Sequence, residues 1–240
     1  MTVHPAGSRS LTFNLIAQIQ ADARRTRFLT ALLVIPFMGL YGIANRLNAA
    51  RGSSYVFRLP IDNQIPFTPV FILPYYAWYV YVIGVLLWLV FDKKTGQLLY
   101  RHILAICLTE TIAFVVFLVF PTYMPRPDVA GQDSLSVMVR LIYHSDYPYN
   151  CFPSMHVCLA VLTAYALELA GPKQLVFRLA NLSLLVLITL STVLTKQHLS
   201  PDILGGLLLA WIGWLLAGSI HGAIRRRMDT VRTLRLDSKT

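Results

Sequence analysis

The sequence has few charged residues and few cysteines, and both shortages exclude classes of protein. Charged side chains make up 13% of the 240 residues, whereas hydrophobic residues make up 56%, which is far from the balance of a soluble domain. The three cysteines, Cys107, Cys151 and Cys158, cannot supply a disulfide framework, because two of them lie in long apolar runs. The 11 acidic residues form no cluster of the kind that binds magnesium. The composition is that of a membrane protein.

Long apolar runs are abundant, and six of them have the length of a membrane-spanning helix. We therefore predict an all-α, polytopic membrane protein with six transmembrane helices. The first run is expected to be a retained span, because a polar segment precedes it and no small-residue cleavage site follows. The six predicted spans are Phe28 to Asn45, Val70 to Phe91, His102 to Pro121, Met155 to Ala170, Val176 to Thr195 and Ile203 to His221.

The net charge of +10 comes from basic residues that concentrate in alternate connections. Of the 21 Lys and Arg residues, all but six lie in the N-terminal segment, the second and fourth connections, and the tail. The positive-inside rule then predicts that both termini are cytoplasmic. Because most basic residues lie on one predicted side of the membrane, we expect the bilayer and its lipids as partners and no nucleic acid. The six residues on the opposite side are Arg46, Arg51, Arg58, Arg126, Arg140 and Lys196.

The chain divides into three predicted parts. Residues 1–27 form a cytoplasmic N-terminal segment, residues 28–221 a six-helix membrane domain, and residues 222–240 a basic cytoplasmic tail. Between Ser10 and Arg27 apolar residues repeat every four positions, which predicts a short helix on the membrane surface. A partly ordered leader fits the same segment equally well.

Two features mark the predicted outward side. A connection of roughly thirty residues separates the third and fourth spans, and loops that long are uncommon unless they are functional. We expect this loop to border a site. Aromatic residues open the second span and are predicted to anchor it at the outer interface. They are Tyr75, Tyr76, Trp78, Tyr79 and Tyr81.

His198 and Asp202 lie at the edge of the sixth apolar run, four residues apart. At this spacing a helix brings two side chains to the same face. The carboxylate could then accept the Nδ1 proton of the imidazole and leave Nε2 free as a nucleophile or base. Pro201 suits the first turn of a helix, so we predict the pair at the start of the sixth helix. Taken alone, the pair is better explained by a purely structural hydrogen bond.

Further polar residues fall on the same predicted face. Ser154 is a predicted N-cap of the fourth span, whose first turn contains His156 and could bind an anion through its N–H groups. Arg126 offers a planar fork for phosphate, and Lys196 offers a point charge two residues before His198. Each residue also has a structural explanation, as a cap, a packed histidine or a cation reaching the headgroups. Their combination in three separate segments favours a reaction centre.

These residues occur in a familiar order. Arg126-Pro127, then Pro153-Ser154-Met155-His156, then Ser191 followed by His198 and Asp202, resembles the three signature motifs of the type 2 phosphatidic acid phosphatase superfamily. The resemblance covers the chain from about Pro121 to Gly206. It implies a helical membrane enzyme with its active site at the extracytoplasmic ends of the helices, acting on a phosphorylated lipid.

The resemblance also implies a division of roles. His198 would attack phosphorus, Asp202 would stabilise the charged ring, and His156 would protonate the departing alcohol oxygen, with no metal or other cofactor. The expected phosphate-binding residues are Arg126, Ser154 and, by proximity rather than by motif, Lys196.

Three positions depart from the family pattern. Val119 stands where the first motif has a lysine, Met155 where the second has a glycine, and Thr192 where the third has an arginine. Motifs altered in this way resemble the branch that includes inositol phosphorylceramide and sphingomyelin synthases. The acceptor could therefore be water, in a lipid phosphate phosphatase, or the hydroxyl of a second lipid, in a head-group transferase. A non-enzymatic transporter or scaffold is the third hypothesis, supported only by the intramembrane residues Glu110 and Glu168.

Overall fold

The computed structural model describes residues 23–52 and 54–237, without the side chains of residues 229 and 231–237. The elements of these residues are helices, and β-structure is limited to two isolated bridges, Tyr55–Thr122 and Tyr123–Tyr149. Most of the predicted interfacial helix, residues 10–22, lies outside the described part. The helices are α1 Ala23–Arg51, with a turn at Leu33, α2 Ile72–Phe91, α3 Gly96–Val119, α4 Ser134–Ser145, α5 Met155–Ala170, α6 Leu175–Leu194 and α7 Ser200–Asp237.

Five helical segments of the described chain are long and apolar enough to cross a membrane: Ala23–Arg51, Pro69–Phe91, Lys93–Val119, Leu175–Leu194 and Ser200–Met228. They confirm five of the six predicted spans as candidates. Helix α5 has the predicted bounds and is apolar, but its 16 residues extend only about 24 Å, less than the ~30 Å hydrocarbon core of a bilayer. Helix α7 runs on into the predicted tail as far as Asp237.

Helix α5 occupies the centre of the bundle. It packs against α2, α3, α6 and α7, and every residue from Met155 to Ala164 is buried. A helix that is hydrophobic on all faces is stable when other helices surround it. The surrounding helices instead expose apolar side chains, such as Val80, Val119 and Val176, each more than three-quarters exposed. Such surfaces suit contact with lipid acyl chains.

The long connection before α5 contains a helix that the sequence analysis missed. Helix α4 begins after Asp133, whose carboxylate accepts a hydrogen bond from the Ser136 N–H at 3.1 Å. One face of α4 buries Val139 and Ile142 against Ile72 and other apolar residues around the start of α2. The connection is therefore an ordered cap over this end of the bundle.

The loop before α2 and the start of α7 close the same end. A 3₁₀ turn at Pro60–Asn63 and a second at Pro69–Phe71 lead into α2, and each begins with a proline. The Thr68 N–H donates to the Leu194 carbonyl at 2.8 Å, which joins this loop to the end of α6. Helix α7 approaches the start of α5 closely at Gly206, where an added Cβ would lie 2.5 Å from the Ser154 carbonyl oxygen.

Candidate active site

His198 and Asp202 form the predicted pair at the start of α7. Residue 198 lies just before the helix and Asp202 in its first turn, with 3.4 Å between Nδ1 and Oδ2. A nearer acceptor for Nδ1 is the Cys151 carbonyl oxygen, at 3.0 Å. The same Asp202 oxygen accepts the Leu199 N–H at 2.8 Å, as in a helix cap. Because two oxygens face Nδ1, we assign the neutral ring's proton there, which leaves the Nε2 lone pair available.

His156 lies beside His198, with 5.7 Å between the ring centroids. Its Nε2 is 2.8 Å from the Tyr75 hydroxyl oxygen, and its backbone carbonyl accepts a hydrogen bond from the Trp78 indole at 2.8 Å. The rings of Tyr75 and Trp78 also contact the imidazole, at centroid distances of 4.8 and 4.6 Å. The imidazole is thus held from two sides by α2.

The prediction that the aromatic residues of α2 form an interfacial belt is wrong for three of them. Tyr75, Trp78 and Tyr81 are buried, with at most 7% of each side chain exposed. Their spacing of three residues places them on one face of α2, which packs on α5. The three-residue spacing was the signal in the sequence for a buried face, because aromatic residues that anchor a helix at the membrane interface need not lie on one face of it.

Ser154 is the N-cap of α5, as predicted. Its hydroxyl accepts the Val157 N–H at 3.4 Å, and its own N–H donates to the Asp202 carbonyl at 3.0 Å. The second bond joins the start of α5 directly to the first turn of α7. The N-terminal turn of a helix carries partial positive charge and unpaired N–H groups, which favour an anion at this position.

Arg126 is fixed by the end of α4 and by a residue that the sequence analysis missed. Its guanidinium donates to the carbonyls of Tyr143, at 3.2 Å, and Asp146, at 2.6 Å, and lies 4.5 Å from the centroid of the Tyr143 ring. It also donates to the Gln197 side-chain carbonyl. Gln197 is buried. In the sequence it stands between the predicted site residues Lys196 and His198, and that position was the only signal for it. Arg126 and the loop before α7 are thereby brought together.

Three buried polar atoms of this cluster have no hydrogen-bond partner in the described chain. They are Nε of Arg126, Nε2 of Gln197 and Oδ1 of Asp202. Leaving a buried polar atom unpaired costs about 1–3 kcal/mol, so such atoms are rare in the absence of a function. The first two are N–H donors, and an anion with several oxygen acceptors would satisfy them.

Lys196 does not join this cluster. Its ammonium donates to the Ile65 carbonyl at 2.5 Å, and its backbone has a positive φ of 55°, which turns the chain between α6 and α7. Burial lowers the pKa of Lys196, and the nearby Asp62 carboxylate opposes that shift. The amine therefore lies against the loop before α2 rather than beside Arg126.

Asp62 is a second residue that the sequence analysis left without a role. Its carboxylate accepts hydrogen bonds from the Ser200 N–H at 2.7 Å and the Ser200 hydroxyl at 3.1 Å. It also accepts the Leu59 N–H at 2.8 Å. Asp62 therefore caps α7 from a distant loop and holds the turn that carries His198. Its place in the sequence, 138 residues before Ser200, gave no local signal.

The Cys151 thiol is buried and free. Burial raises its pKa well above the ordinary value, with a further contribution from Asp202, so the thiol stays protonated and is a poor nucleophile. Its backbone carbonyl, not its sulfur, contacts His198. Among the described residues no group of three or more His, Cys, Asp or Glu side chains is arranged to hold a metal ion.

A family model described as the PAP2 superfamily matches residues 61–216, about two thirds of the chain. The chain therefore belongs to the PAP2 superfamily, the type 2 phosphatidic acid phosphatases and their relatives. The matched region contains all six predicted site residues and most of the apolar helices. No curated protein and no solved structure matches the chain. A membrane protein of this superfamily fits a lipid phosphatase or a related phosphotransferase.

Proposed function

We propose that the protein is an integral membrane lipid phosphate phosphatase that acts through a phosphohistidine. The observation that carries this proposal is a pair of buried donors without a partner among the described residues, Arg126 Nε and Gln197 Nε2. Gln197 precedes His198 in the chain and accepts a hydrogen bond from Arg126. Such donors fit the oxygens of a phosphoryl group. His198 and His156, 5.7 Å apart, supply a nucleophile and an acid, so that no metal is required for either role.

In the first step, the Nε2 lone pair of His198 attacks phosphorus. The bond between phosphorus and the lipid alcohol oxygen breaks, and that oxygen takes a proton from His156. The imidazole that now carries the phosphoryl group is positively charged, and Asp202 and the Cys151 carbonyl stabilise it through Nδ1–H. The products of this step are a lipid alcohol and a phosphohistidine.

In the second step, water attacks the phosphorus of the phosphohistidine. His156, now neutral, takes a proton from the water as the new P–O bond forms and the P–N bond breaks. Inorganic phosphate leaves, and both histidines return to their starting protonation states. The acid of the first step is the base of the second, so a single residue serves both steps.

The equatorial oxygens of the phosphoryl group need positive partners throughout. We assign this role to Arg126, to the Gln197 amide and to the N–H groups that follow Ser154 at the start of α5. Lys196 raises the positive potential at the mouth of the site instead of contacting the phosphate, since its ammonium is bonded to Ile65. In this assignment Gln197, and not Lys196 as expected from the sequence, contacts the phosphate directly.

We further propose that α5 also crosses the membrane, as the fourth of the six predicted spans, and that the site faces the extracytoplasmic side, with both termini in the cytoplasm. The distribution of basic residues supports this orientation. The test is cysteine labelling in intact cells, in a Cys107→Ser, Cys158→Ser background. An impermeant maleimide should label Asp128→Cys, in the connection before α4, and not Lys173→Cys, in the connection between α5 and α6. The opposite pattern would contradict the orientation.

A lipid head-group transferase is the second candidate. The departures at Val119, Met155 and Thr192 favour it, because the first and the third remove cations that a phosphate-releasing site of this family would use. The first step would be the same. In the second step the hydroxyl of another lipid would attack phosphorus, and the product would be a phosphodiester.

The deciding experiment is turnover by the purified protein on a panel of phosphorylated lipids in chelator, with and without an acceptor lipid. Phosphate release with water alone supports the phosphatase, and a new phosphodiester that requires the acceptor supports the transferase. His198→Ala should abolish either reaction, whereas His221→Ala, at the other end of the bundle, should not. Loss of turnover that magnesium restores would refute the metal-free scheme. Absence of turnover on every lipid would favour a transporter or scaffold.

A further inference from the structure

A cavity of about 440 Å³ adjoins the candidate active site and lies between α1, α2, α3, α5 and the segment that follows α4. His156 lines it, but His198 and Arg126 do not. The cavity is thus distinct from the place where the phosphoryl group would lie, and His156 is the residue that the two share. Its volume is in the range of sites that bind small molecules or lipid head groups.

Glu110 of α3 lines this cavity deep within the bundle. It precedes the end of α3 by nine residues, which corresponds to about 13 Å along the helix. The side chain is 2% exposed, and its Oε2 atom is buried without a hydrogen-bond partner in the described chain. A buried carboxylate at membrane depth is costly unless another group pairs with it. Among the described residues no cationic side chain forms an ion pair with Glu110, so a ligand in the cavity would be the partner of its charged form.

The other walls of the cavity indicate the charge of that ligand. Trp78, Tyr79 and Tyr41 contribute aromatic rings, and the Asp146 carboxyl contributes a second acid. Aromatic rings together with carboxylates attract cations, and they bind ammonium groups in particular. The basic side chains of the lining are Arg46, His144 and His156. Arg46 and His144 are exposed near the ends of α1 and α4, away from the depth of Glu110. His156 lies at the wall shared with the candidate active site, where the Tyr75 hydroxyl contacts its Nε2.

We propose that this cavity binds an ammonium group of a lipid, with Glu110 as its counter-ion. The ligand enters between α1 and α2, which are not among the helix pairs of the described chain that pack extensively. If the protein acts as proposed above, the lipid alcohol that His156 protonates or deprotonates carries this ammonium group. That consequence rests on the proposed function, whereas the binding itself does not.

The test compares two probes that share a twelve-carbon chain, dodecylammonium and dodecanol. Their binding to the His198→Ala protein is measured in uncharged micelles of a maltoside detergent. Binding is followed by tryptophan fluorescence, and Trp78→Phe should remove most of the change. We expect dodecylammonium to bind at least tenfold more tightly than dodecanol. In the double variant with Glu110→Gln, this preference should disappear. The matched control is Glu168→Gln, since Glu168 pairs with Arg178 at the other end of α5.

Equal binding of the two probes, or a preference that survives Glu110→Gln, would overturn the proposal. If Glu110→Gln does not fold, Tyr79→Leu replaces it. This variant should bind dodecylammonium several-fold more weakly and dodecanol as tightly as before. Equal weakening of the binding of both probes would overturn the proposal. The binding assay uses a protein without His198 and so does not depend on turnover. Selective ammonium binding, together with no turnover of any lipid by the unaltered protein, would reject the proposed function alone. Turnover without selective binding would reject only the ammonium site.

Discussion

The Asp62 carboxylate holds Ser200 through two hydrogen bonds, at 2.7 Å to the N–H and 3.1 Å to the hydroxyl. The two residues are 138 positions apart in the sequence, and their contact fixes the first turn of α7. That turn carries Asp202 and directly follows His198. A residue outside the phosphate site thereby positions the proposed nucleophile.

Loss of the Asp62 carboxylate should therefore reduce turnover as well as stability. Asp62→Ala leaves the Ser200 N–H without its partner, and we expect a loss of about 2 kcal/mol in the free energy of unfolding. We expect kcat to fall about tenfold with little change in KM, and Asp62→Asn to restore part of it. Asp133→Ala removes a similar cap from α4 at an exposed position. If both alanine variants lose kcat equally, Asp62 has no special positioning role.

The Tyr75 hydroxyl should matter for proton transfer by His156. Tyr75→Phe removes the hydrogen bond to Nε2, and a loss of about 1.4 kcal/mol would lower kcat about tenfold. The limb of the pH–rate profile that reports on the acid should shift. A nitrophenyl ester needs less protonation of its leaving group, so its hydrolysis should fall less. The control is Tyr76→Phe, whose hydroxyl contacts the Met138 carbonyl instead. Equal losses on both substrates would contradict the role.

Arg126→Lys tests the phosphate site. Lysine keeps the charge but cannot bond the Tyr143, Asp146 and Gln197 oxygens with one planar group. We expect kcat/KM to fall about 100-fold, comparable to the loss of one donor from an oxyanion site. Arg140→Lys is the matched control, because Arg140 bonds only carbonyls of the loop before α4. A similar loss in both variants would indicate a general effect on α4.

Gly206→Ala tests the close approach of α7 to α5. The new methyl group would lie 2.5 Å from the Ser154 carbonyl oxygen and 3.0 Å from Val157 Cβ, so one helix must move. Overpacking of this kind costs about 2 kcal/mol, and we expect a lower Tm in detergent with a parallel loss of turnover. Gly84→Ala, where nothing lies within 4 Å of the new methyl group, should keep both. An unchanged Tm in Gly206→Ala would show that the helices separate freely.

The Cys151 thiol should resist alkylation at alkaline pH. Burial raises its pKa in the folded protein, so iodoacetamide at pH 9 should modify it slowly until the chain is unfolded. The unfolded thiol releases its proton at a lower pH than the folded one. Its contribution to stability is therefore lost as the pH rises above the unfolded pKa of about 8.5. Mass spectrometry of the Cys151 peptide measures the labelling, and rapid modification of the folded protein would refute this.

The sequence predicted the parts of this site that depend on local spacing. Ser154 could be assigned as a cap from the apolar run after it, and a separation of four residues indicated that His198 pairs with Asp202, although His198 itself lies before the helix. Lys196 shows the limit of such reasoning. It is two residues from His198, yet its positive φ turns the side chain toward Ile65. Proximity in sequence does not determine the direction of a side chain in a turn.

The residues that sequence reasoning missed depend on contacts between distant segments. Arg126 and Gln197 are 71 residues apart, and Tyr75 and His156 are 81 apart. Gln197 and Tyr75 cannot be recognised as the partners of Arg126 and His156 until the helices are packed. Helix α4 was missed for a different reason. It is short and amphipathic, whereas membrane spans are recognised in a sequence as long, uniformly apolar runs.

The central position of α5 has a consequence for how this protein can change. The helix that fills the interior of the bundle is also the one whose first turn holds Ser154 and His156. A substitution that loosens the interior therefore displaces the reacting groups directly, because no hinge or linker separates the two. Heat resistance and catalytic rate should rise and fall together across variants of α5, so that neither property can be tuned while the other is held constant.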